Sequence, residues 1–168
     1  MKVQPQPLHR NTGHCLRVGL VGILMILLAQ TVGAQKNYVS KYRPLADSLS
    51  AVYEIPAGVI LAVAIVESGG GNSRNARLLN NHFGIVGKNN LLATKGIRTR
   101  YKQYPSVAAS YTAFCQLLTR KKFYKKLKGE KKAKDWIEAI SKAGYSESPK
   151  EWVKRVSETV KKYKLDKK

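Results

Sequence analysis

A continuous apolar segment constrains this chain more than any other feature. Residues 57–66 read AGVILAVAIV, without a single charged or polar side chain. A helix at the protein surface needs a polar face, so this run predicts a helix that is buried on all sides. Pro56 suits the start of that helix, where its absent N–H costs nothing. Gly69, Gly70 and Gly71 can adopt the left-handed conformations that end it.

The rest of the chain shows the spacing of amphipathic helices, without repeats or low-complexity linkers. Ser106 is a predicted N-cap, and Ser148-Pro149-Lys150-Glu151 reads as a capping box with proline at the first helical position. Residues 85–87 and 99–104 are predicted to pair as a short β-hairpin. The expected fold is mainly α: a helical bundle around the central apolar helix, with the hairpin beside a cleft. Besides the central helix, helices are predicted at residues 37–53, 106–118, 132–142 and 149–163.

Residues 1–34 have the pattern of an export signal. Three basic residues (Lys2, Arg10 and Arg17) precede an apolar stretch at 18–29, and the small residues 32–34 follow it. Twelve apolar residues span roughly 18 Å as a helix, short of the roughly 30 Å hydrocarbon core, which favours a cleaved signal over a retained anchor. The sequence therefore predicts a signal peptide at 1–34, a single domain at 35–168, and export to the periplasm or cell envelope.

The chain is strongly basic. It carries 31 Lys and Arg against 10 Asp and Glu, a net charge of +21, and removing 1–34 leaves 28 against 10, or +18. Residues 119–134 hold nine of these cations and one Glu, with Phe123 and Tyr124 between them. Such a segment is either a solvated helix surface or a site for an anionic polymer or lipid. Export favours acidic envelope surfaces and argues against nucleic acid as a partner.

The inventory of reactive side chains excludes several chemistries. His82 is the one histidine beyond residue 34, and Cys115 falls on the apolar face of a predicted helix, where a thiolate is disfavoured. Nucleophilic catalysis by a Ser/His or Cys/His pair is therefore not expected. Gly69–Gly71 lacks the Gly-Lys-Ser/Thr ending of a phosphate-binding loop. No metal site and no organic cofactor are predicted.

Glu67 is the acidic residue with the most unusual position, because it follows the apolar run near the predicted C-terminus of the central helix. Burial and the partial negative charge of a helix end both disfavour a carboxylate, so both raise its pKa. A carboxyl group that stays protonated near neutral pH can protonate the leaving oxygen of a glycoside. The alternative is that Glu67 points into solvent, and the spacing leaves both possibilities open.

Two motifs together resemble a known enzyme family. Residues 67–73 (ESGGGNS) and 80–85 (NNHFGI) are similar to the signature of the peptidoglycan glucosaminidases of glycoside hydrolase family 73, in the lysozyme-like superfamily. The resemblance extends through 101–111 and Ala143-Gly144-Tyr145, and it covers residues 38–163. It implies a lysozyme-like fold that cleaves the β-1,4 bond between N-acetylglucosamine and N-acetylmuramic acid in peptidoglycan glycan strands. A monomer is expected.

The resemblance also implies roles for individual residues. Glu67 matches the catalytic acid of the family. Tyr145 matches a tyrosine near that acid, and it is expected to take part in catalysis by lending its hydroxyl to the acid or to the N-acetyl group of the substrate; the alternative is a place on the surface. Structural alternatives exist for several positions, because an Asn can cap a helix, Phe can pack and Gly can turn the chain. The residues expected to bind substrate are Asn80, Asn81, Phe83, Gly84 and Tyr104.

One departure from the family pattern affects the mechanism. Family members usually carry a second carboxylate in the hairpin, yet residues 86–104 contain no Asp or Glu. Glu54 lies at the other end of the central helix, roughly 16 Å from Glu67 and beyond the roughly 5 to 10 Å of a carboxylate pair. Asp47 cannot be placed from sequence. We therefore expect a single-acid mechanism assisted by the N-acetyl group of the substrate. Lytic transglycosylase or muramidase activity, or a non-catalytic cationic envelope-binding protein, are the alternatives.

Overall fold

The apolar segment forms the centre of the fold. The computed structural model describes residues 37–166, and in it this segment is helix α2, Ala57–Ser68. Residues 57–65 are all buried, as a run without a polar face requires. Gly69 ends the helix in the left-handed conformation, with φ of 59°. The prediction of a central core helix with a glycine stop is confirmed.

The predicted helices are present with bounds within two residues of those expected. α2 contacts α5, α7 and α8, and α7 contacts α8. These three neighbours pack against α2, and residues of α1 and Leu165 belong to the same core. The other helices of the described residues are α1 (37–53), α3 (Arg74–Leu79), α4 (Leu91–Lys95), α5 (Val107–Thr119), α6 (Tyr124–Leu127), α7 (Ala133–Lys142) and α8 (Pro149–Lys162).

Each helix that packs on α2 buries one face with residues three or four positions apart. That spacing places the side chains above one another along one side of a helix. Cys115 is fully buried on the face of α5, as predicted, and burial raises the pKa of its thiol to about 12. The buried apolar residues are Tyr111, Phe114, Cys115 and Leu118 on α5, Trp136, Ile137 and Ile140 on α7, and Trp152, Val156 and Val160 on α8.

The predicted β-hairpin does not form as two strands. Among the described residues the segments meet in one antiparallel bridge, Val86 with Tyr101. Side-chain amides replace the ladder on either side of it. Asn81 Nδ2 donates to Lys102 O at 2.8 Å, and Asn89 Nδ2 donates to Thr99 O and Tyr101 O at 3.0 and 2.9 Å. Beyond the bridge, a further backbone bond joins the segments, from Gln103 N to Lys88 O at 3.0 Å. The segments are therefore held by a mixture of backbone and side-chain bonds rather than by a regular ladder.

Two predictions of capping had different outcomes. Ser106 caps α5, its Oγ accepting from Ala109 N at 3.1 Å, as expected. The capping box at 148–151 is wrong: Ser148 makes no side-chain cap bond, and its own N–H donates to Ser146 Oγ at 3.2 Å. Pro149 does stand at the start of α8. The backbone N–H of Ser148 is therefore bound within the turn that precedes α8.

The predicted signal peptide at 1–34 lies outside the described residues. Within 37–166, the structure contains no helix with both the length and the apolar character that a membrane crossing requires.

Gly58 should be intolerant of a side chain. A Cβ there would lie 2.4 Å from Leu165 O, a backbone atom that cannot move aside as a side chain does. Gly58→Ala should lower the free energy of unfolding by about 1–3 kcal/mol through overpacking, although alanine favours a helix by about 1 kcal/mol. Chemical denaturation measures this change.

Gly87→Ala is the matched control. Its Cβ would meet side-chain atoms of Lys102, the nearest being Cβ at 3.0 Å, which is less crowded than the 2.4 Å contact at Gly58. We expect a small effect there. Equal stability of Gly58→Ala and the unmodified protein would contradict the close packing of α2 against residue 165.

Candidate active site

Glu67 lies in the last turn of α2 with its carboxylate partly buried. Its Oε1 accepts a hydrogen bond from the indole Nε1–H of Trp152 on α8, at 2.7 Å. Arg155, one turn further along α8, donates from its guanidinium to Val66 O at 3.4 Å. The prediction that Glu67 sits at the end of a buried helix is confirmed, and the side chain is held rather than free in solvent.

The environment of Glu67 raises the pKa of its carboxyl group. Burial is the largest influence and favours the neutral form, while the Trp152 hydrogen bond and the charge of Arg155 act in the opposite direction. The net direction is upward. The sequence argument from burial therefore has the correct sign.

A cavity of about 310 Å³ opens beside Glu67. Its walls come from the end of α2, the 83–86 segment, the end of α5 and the end of α7. Glu67 is the one acid among the described residues that line it. Those residues are Glu67, Phe83, Gly84, Ile85, Val86, Leu117, Leu118, Lys121, Phe123, Ile140, Ala143, Gly144 and Tyr145.

Gly84 leaves space beside the other carboxylate oxygen of Glu67. Its φ is 65°, a conformation that favours glycine, and a Cβ at this position would stand 3.3 Å from Glu67 Oε2. The backbone of the 80–85 motif therefore approaches the carboxyl group closely. The two motifs noted in the sequence meet at this point.

The hydroxyl of Tyr145 binds the backbone of the same segment. The O–H donates to Phe83 O at 2.7 Å, and the ring packs against Trp152 with centroids 5.4 Å apart. Burial and the nearby charge of Glu67 raise the pKa of its phenol, so the group is neutral. Tyr145 thus contacts both the partner of Glu67 and the backbone beside Gly84, and a direct catalytic role stays a prediction.

The two asparagines of the motif bind backbone atoms. Asn80 ends α3 with a left-handed φ of 52° and donates to Tyr104 O at 3.0 Å. Asn81 is buried, and its amide binds Ile85 and Lys102 carbonyls and the N–H groups of Phe83 and Ile85. These contacts shape the loop that carries Gly84. Substrate contact by either residue stays a prediction.

Phe83 and Tyr104 are buried aromatic residues of the same region. Phe83 stacks on Phe114 with centroids 4.3 Å apart, although part of it reaches the cavity wall. Tyr104 is 5% exposed, and its hydroxyl oxygen is buried without a hydrogen-bond partner among the described residues. Burial raises the pKa of Tyr104. Tyr104 is not among the described residues that line the cavity of Glu67, and substrate contact by this residue stays a prediction.

A hydrogen-bonded cluster of aromatic side chains connects α1 and α5 to the loop at residue 82. The hydroxyl of Tyr38 on α1 lies 2.6 Å from His82 Nδ1 and 2.8 Å from the hydroxyl of Tyr111 on α5. Burial lowers the pKa of His82 to about 4, so the imidazole is neutral. Ser68 Oγ accepts from Gly71 N at 2.8 Å and closes the glycine turn. His82 thus ties the 80–85 motif to α1 through Tyr38.

The other carboxylates considered from sequence have their own partners. Glu54 pairs with Lys128 at 2.9 Å and Asp47 with Arg43 at 2.9 Å, and both acids line a different cavity near Pro56. Neither borders the cavity of Glu67. In the part of the chain that the structure describes, no group of three or more His, Cys, Asp or Glu side chains is placed to hold a metal ion.

Sequence reasoning missed two residues of the site and one ion pair. Trp152 and Arg155 face Glu67 from α8, and the signal for Trp152 was its place on the apolar face with Val156 and Val160. The ion pair joins Arg100 to Glu147 at 3.5 Å, linking the segment after Tyr145 to the one bridged with Val86, and Glu147 is 92% exposed. Only the tertiary structure brings these residues together.

Comparisons with solved structures support the fold. The solved catalytic domain of the autolysin Auto from Listeria monocytogenes superposes with a TM-score of 0.65 at 21% identity, over 79% of this chain and 86% of that one. The glycoside hydrolase domain of FlgJ from Salmonella typhimurium gives 0.60 at 24% identity, over 77% and 88%. These likenesses show a shared lysozyme-like fold.

Sequence comparisons identify the family. Exo-glucosaminidase LytG of Bacillus subtilis is 27% identical over an alignment of 154 positions. The alignment covers 82% of this chain and 54% of LytG, so the chain spans about half the length of that relative. The family described as mannosyl-glycoprotein endo-beta-N-acetylglucosaminidase matches residues 43–165. Since this match covers most of the chain, the protein belongs to the glucosaminidase family of glycoside hydrolases.

Proposed function

We propose that the protein is an exported peptidoglycan hydrolase that cleaves the β-1,4 bond between N-acetylglucosamine and N-acetylmuramic acid, with Glu67 as its general acid. The observation that carries the proposal is a half-buried glutamic acid of raised pKa at the wall of a cavity of about 310 Å³. Membership of the glucosaminidase family supports the same chemistry. Residues 1–34 supply the export signal in this proposal.

The two oxygens of Glu67 have different surroundings. Oε1 accepts from Trp152 Nε1 at 2.7 Å, so the neutral acid carries its proton on Oε2. Oε2 faces the space that Gly84 leaves by having no side chain. The glycosidic oxygen of a bound strand would receive the proton there. The Trp152 hydrogen bond then stabilises the carboxylate left behind.

The positive charge on the sugar has to be stabilised by something other than a second carboxylate of the cavity wall. Glu67 is the one acid among the described residues that line it. The acetamido oxygen of the substrate can stabilise the oxocarbenium-like centre, an established exception to the two-carboxylate pattern. In this proposal Tyr145 positions the backbone of Phe83 and Gly84 through its bond to Phe83 O.

The single acid also suits a lytic transglycosylase or muramidase. Either enzyme would protonate the same kind of oxygen, and a transglycosylase would close a 1,6-anhydro ring instead of admitting water. The identity of the new chain ends separates these activities from the proposed one.

The basic segment 119–134 is the second part of the proposal. Lys122, Lys125 and Lys126 are exposed on this segment. Peptide-stem carboxylates make peptidoglycan anionic, and acidic membrane lipids share that charge. Long-range attraction would therefore concentrate the protein at the envelope.

Glu67→Gln should abolish most of the turnover. The amide keeps the size of the side chain and removes the transferable proton, so we expect kcat on purified peptidoglycan to fall about 10²- to 10⁴-fold. Digestion, borohydride reduction and mass spectrometry of the products measure this loss and identify the ends.

Glu147→Gln is the control, because that carboxyl is exposed and pairs with Arg100 outside the cavity wall. Reduced N-acetylglucosamine ends would support the proposed bond. Reduced muramic or 1,6-anhydro-muramic ends would assign the alternative activities, and normal turnover of Glu67→Gln would contradict the acid role.

Trp152→Phe should move the alkaline limb of the pH profile upward. The indole N–H favours the ionised form of Glu67, so its removal raises the pKa of that carboxyl further. An acid with a higher pKa keeps its proton to higher pH, and kcat/KM then falls at higher pH than in the unmodified protein. The pH dependence of wall cleavage measures the limb.

Trp136→Phe serves as the comparison. Trp136 Nε1 donates to Glu130 O at 3.1 Å and not to Glu67. The alkaline limb of the Trp136→Phe pH profile should therefore lie at the same pH as in the unmodified protein. A downward or absent shift in Trp152→Phe would show that the indole does not govern the protonation of Glu67.

The rate at which the protein cleaves intact cell wall should fall as the salt concentration rises. Raising ionic strength to about 0.15 M contracts the Debye length to about 8 Å and screens exposed charges. The combined variant Lys122→Gln, Lys125→Gln, Lys126→Gln should be slower at low salt and less sensitive to added salt. Initial rates over a salt series test this, and identical salt profiles would remove the role of the basic segment.

A further inference from the structure

Lys121 differs from the other basic residues of 119–134. Among the described residues that line the cavity of Glu67, it is the one cation of that segment. Its side chain is partly buried, whereas the neighbouring Lys122 and Lys125 are exposed. A cation placed in the same cavity as the candidate acid can contact a bound substrate directly.

The ammonium group of Lys121 lacks a counter-ion within residues 37–166. The ion pairs found there join other cations to Asp47, Glu54, Glu138 and Glu147. Glu67 itself is bound by Trp152. The lysine is therefore available to form a charge-assisted hydrogen bond with an anion that a ligand supplies.

The backbone of Lys121 is held in place at the end of α5. Its N–H donates to Leu118 O at 3.0 Å, and its carbonyl accepts from Tyr124 N at 3.0 Å. Leu117 and Phe123 flank it in the cavity wall. Apolar neighbours lower the local dielectric, so an ion pair formed here is stronger than one on the open surface.

We propose that Lys121 forms a carboxylate-binding subsite of the Glu67 cavity, which takes the carboxylate carried by the muramic acid unit of the strand. The inference rests on the proposed function and deepens it. The carboxylate comes either from the peptide stem or, in strands without peptides, from the free lactyl group. A sugar without a carboxylate leaves the lysine unpaired, and this difference makes Lys121 a determinant of specificity.

The test compares variants of the full chain on three forms of one wall preparation. Intact wall presents peptide carboxylates, amidase-treated strands present lactyl carboxylates, and wall amidated with carbodiimide and ammonia presents neither. Lys121→Met removes the charge at similar length, Lys121→Arg retains it, and Lys122→Met is the matched control because that neighbour is exposed. Assays in 0.5 M salt suppress long-range attraction and leave direct contact.

We expect Lys121→Met to lower kcat/KM about 10-fold on the carboxylate-bearing forms. That factor corresponds to the loss of one hydrogen bond to a charged group. Lys122→Met should stay within about twofold of the unmodified protein, and Lys121→Arg should recover most of the loss. On amidated wall, Lys121→Met and the unmodified protein should be equal. Whichever carboxylate-bearing form shows the loss identifies the source of the carboxylate.

Binding gives the same comparison without turnover. In the Glu67→Gln background, Lys121→Met should weaken co-sedimentation with intact or amidase-treated wall about 10-fold, with no change on amidated wall. Equal behaviour of Lys121→Met and Lys122→Met in both assays would overturn the subsite. Absence of new glycan ends with the unmodified protein would instead contradict the proposed hydrolysis, while the binding comparison would still decide on Lys121.

Discussion

The hydrogen bond between Trp152 and Glu67 is the contact on which the candidate active site depends. It joins the C-terminal turn of α2 to the first turn of α8 at 2.7 Å. Burial keeps the carboxyl neutral to higher pH, whereas the indole opposes this influence and fixes Oε1. The Glu67 carboxyl group therefore has a raised pKa and a fixed orientation, because the two helices pack side by side over the apolar core.

The loop opposite Glu67 is organised by polar side chains rather than by a sheet. The Asn81 amide satisfies backbone groups of residues 83, 85 and 102, while Asn89 satisfies residues 99 and 101. His82, between them, is tied to Tyr38 on α1. These bonds keep Gly84 against the carboxyl without a long hairpin. Side-chain and backbone bonds together therefore hold the loop in place of a regular ladder.

Much of the fold followed from local pattern. The apolar run predicted α2, Ser106 predicted the start of α5, and the glycines after Ser68 predicted the helix stop. The predicted hairpin segments meet in one antiparallel bridge without forming strands, because the Asn89 amide binds backbone groups beside it. The cap at Ser148 was wrong, because a local turn binds its backbone N–H. Alternation over six residues could not reveal an asparagine partner ten positions away.

The sequence alone determined the buried central helix, the acid at its end and the cationic character of the chain, since all three depend on residue type and on short-range spacing. The tertiary structure alone decided the partners of Glu67: Trp152 is 85 positions away and Gly84 belongs to a separate loop. It also decided that Lys121 lines the same cavity while its neighbours face solvent. Contacts between elements depend on how the helices pack against one another, and no local pattern records that arrangement.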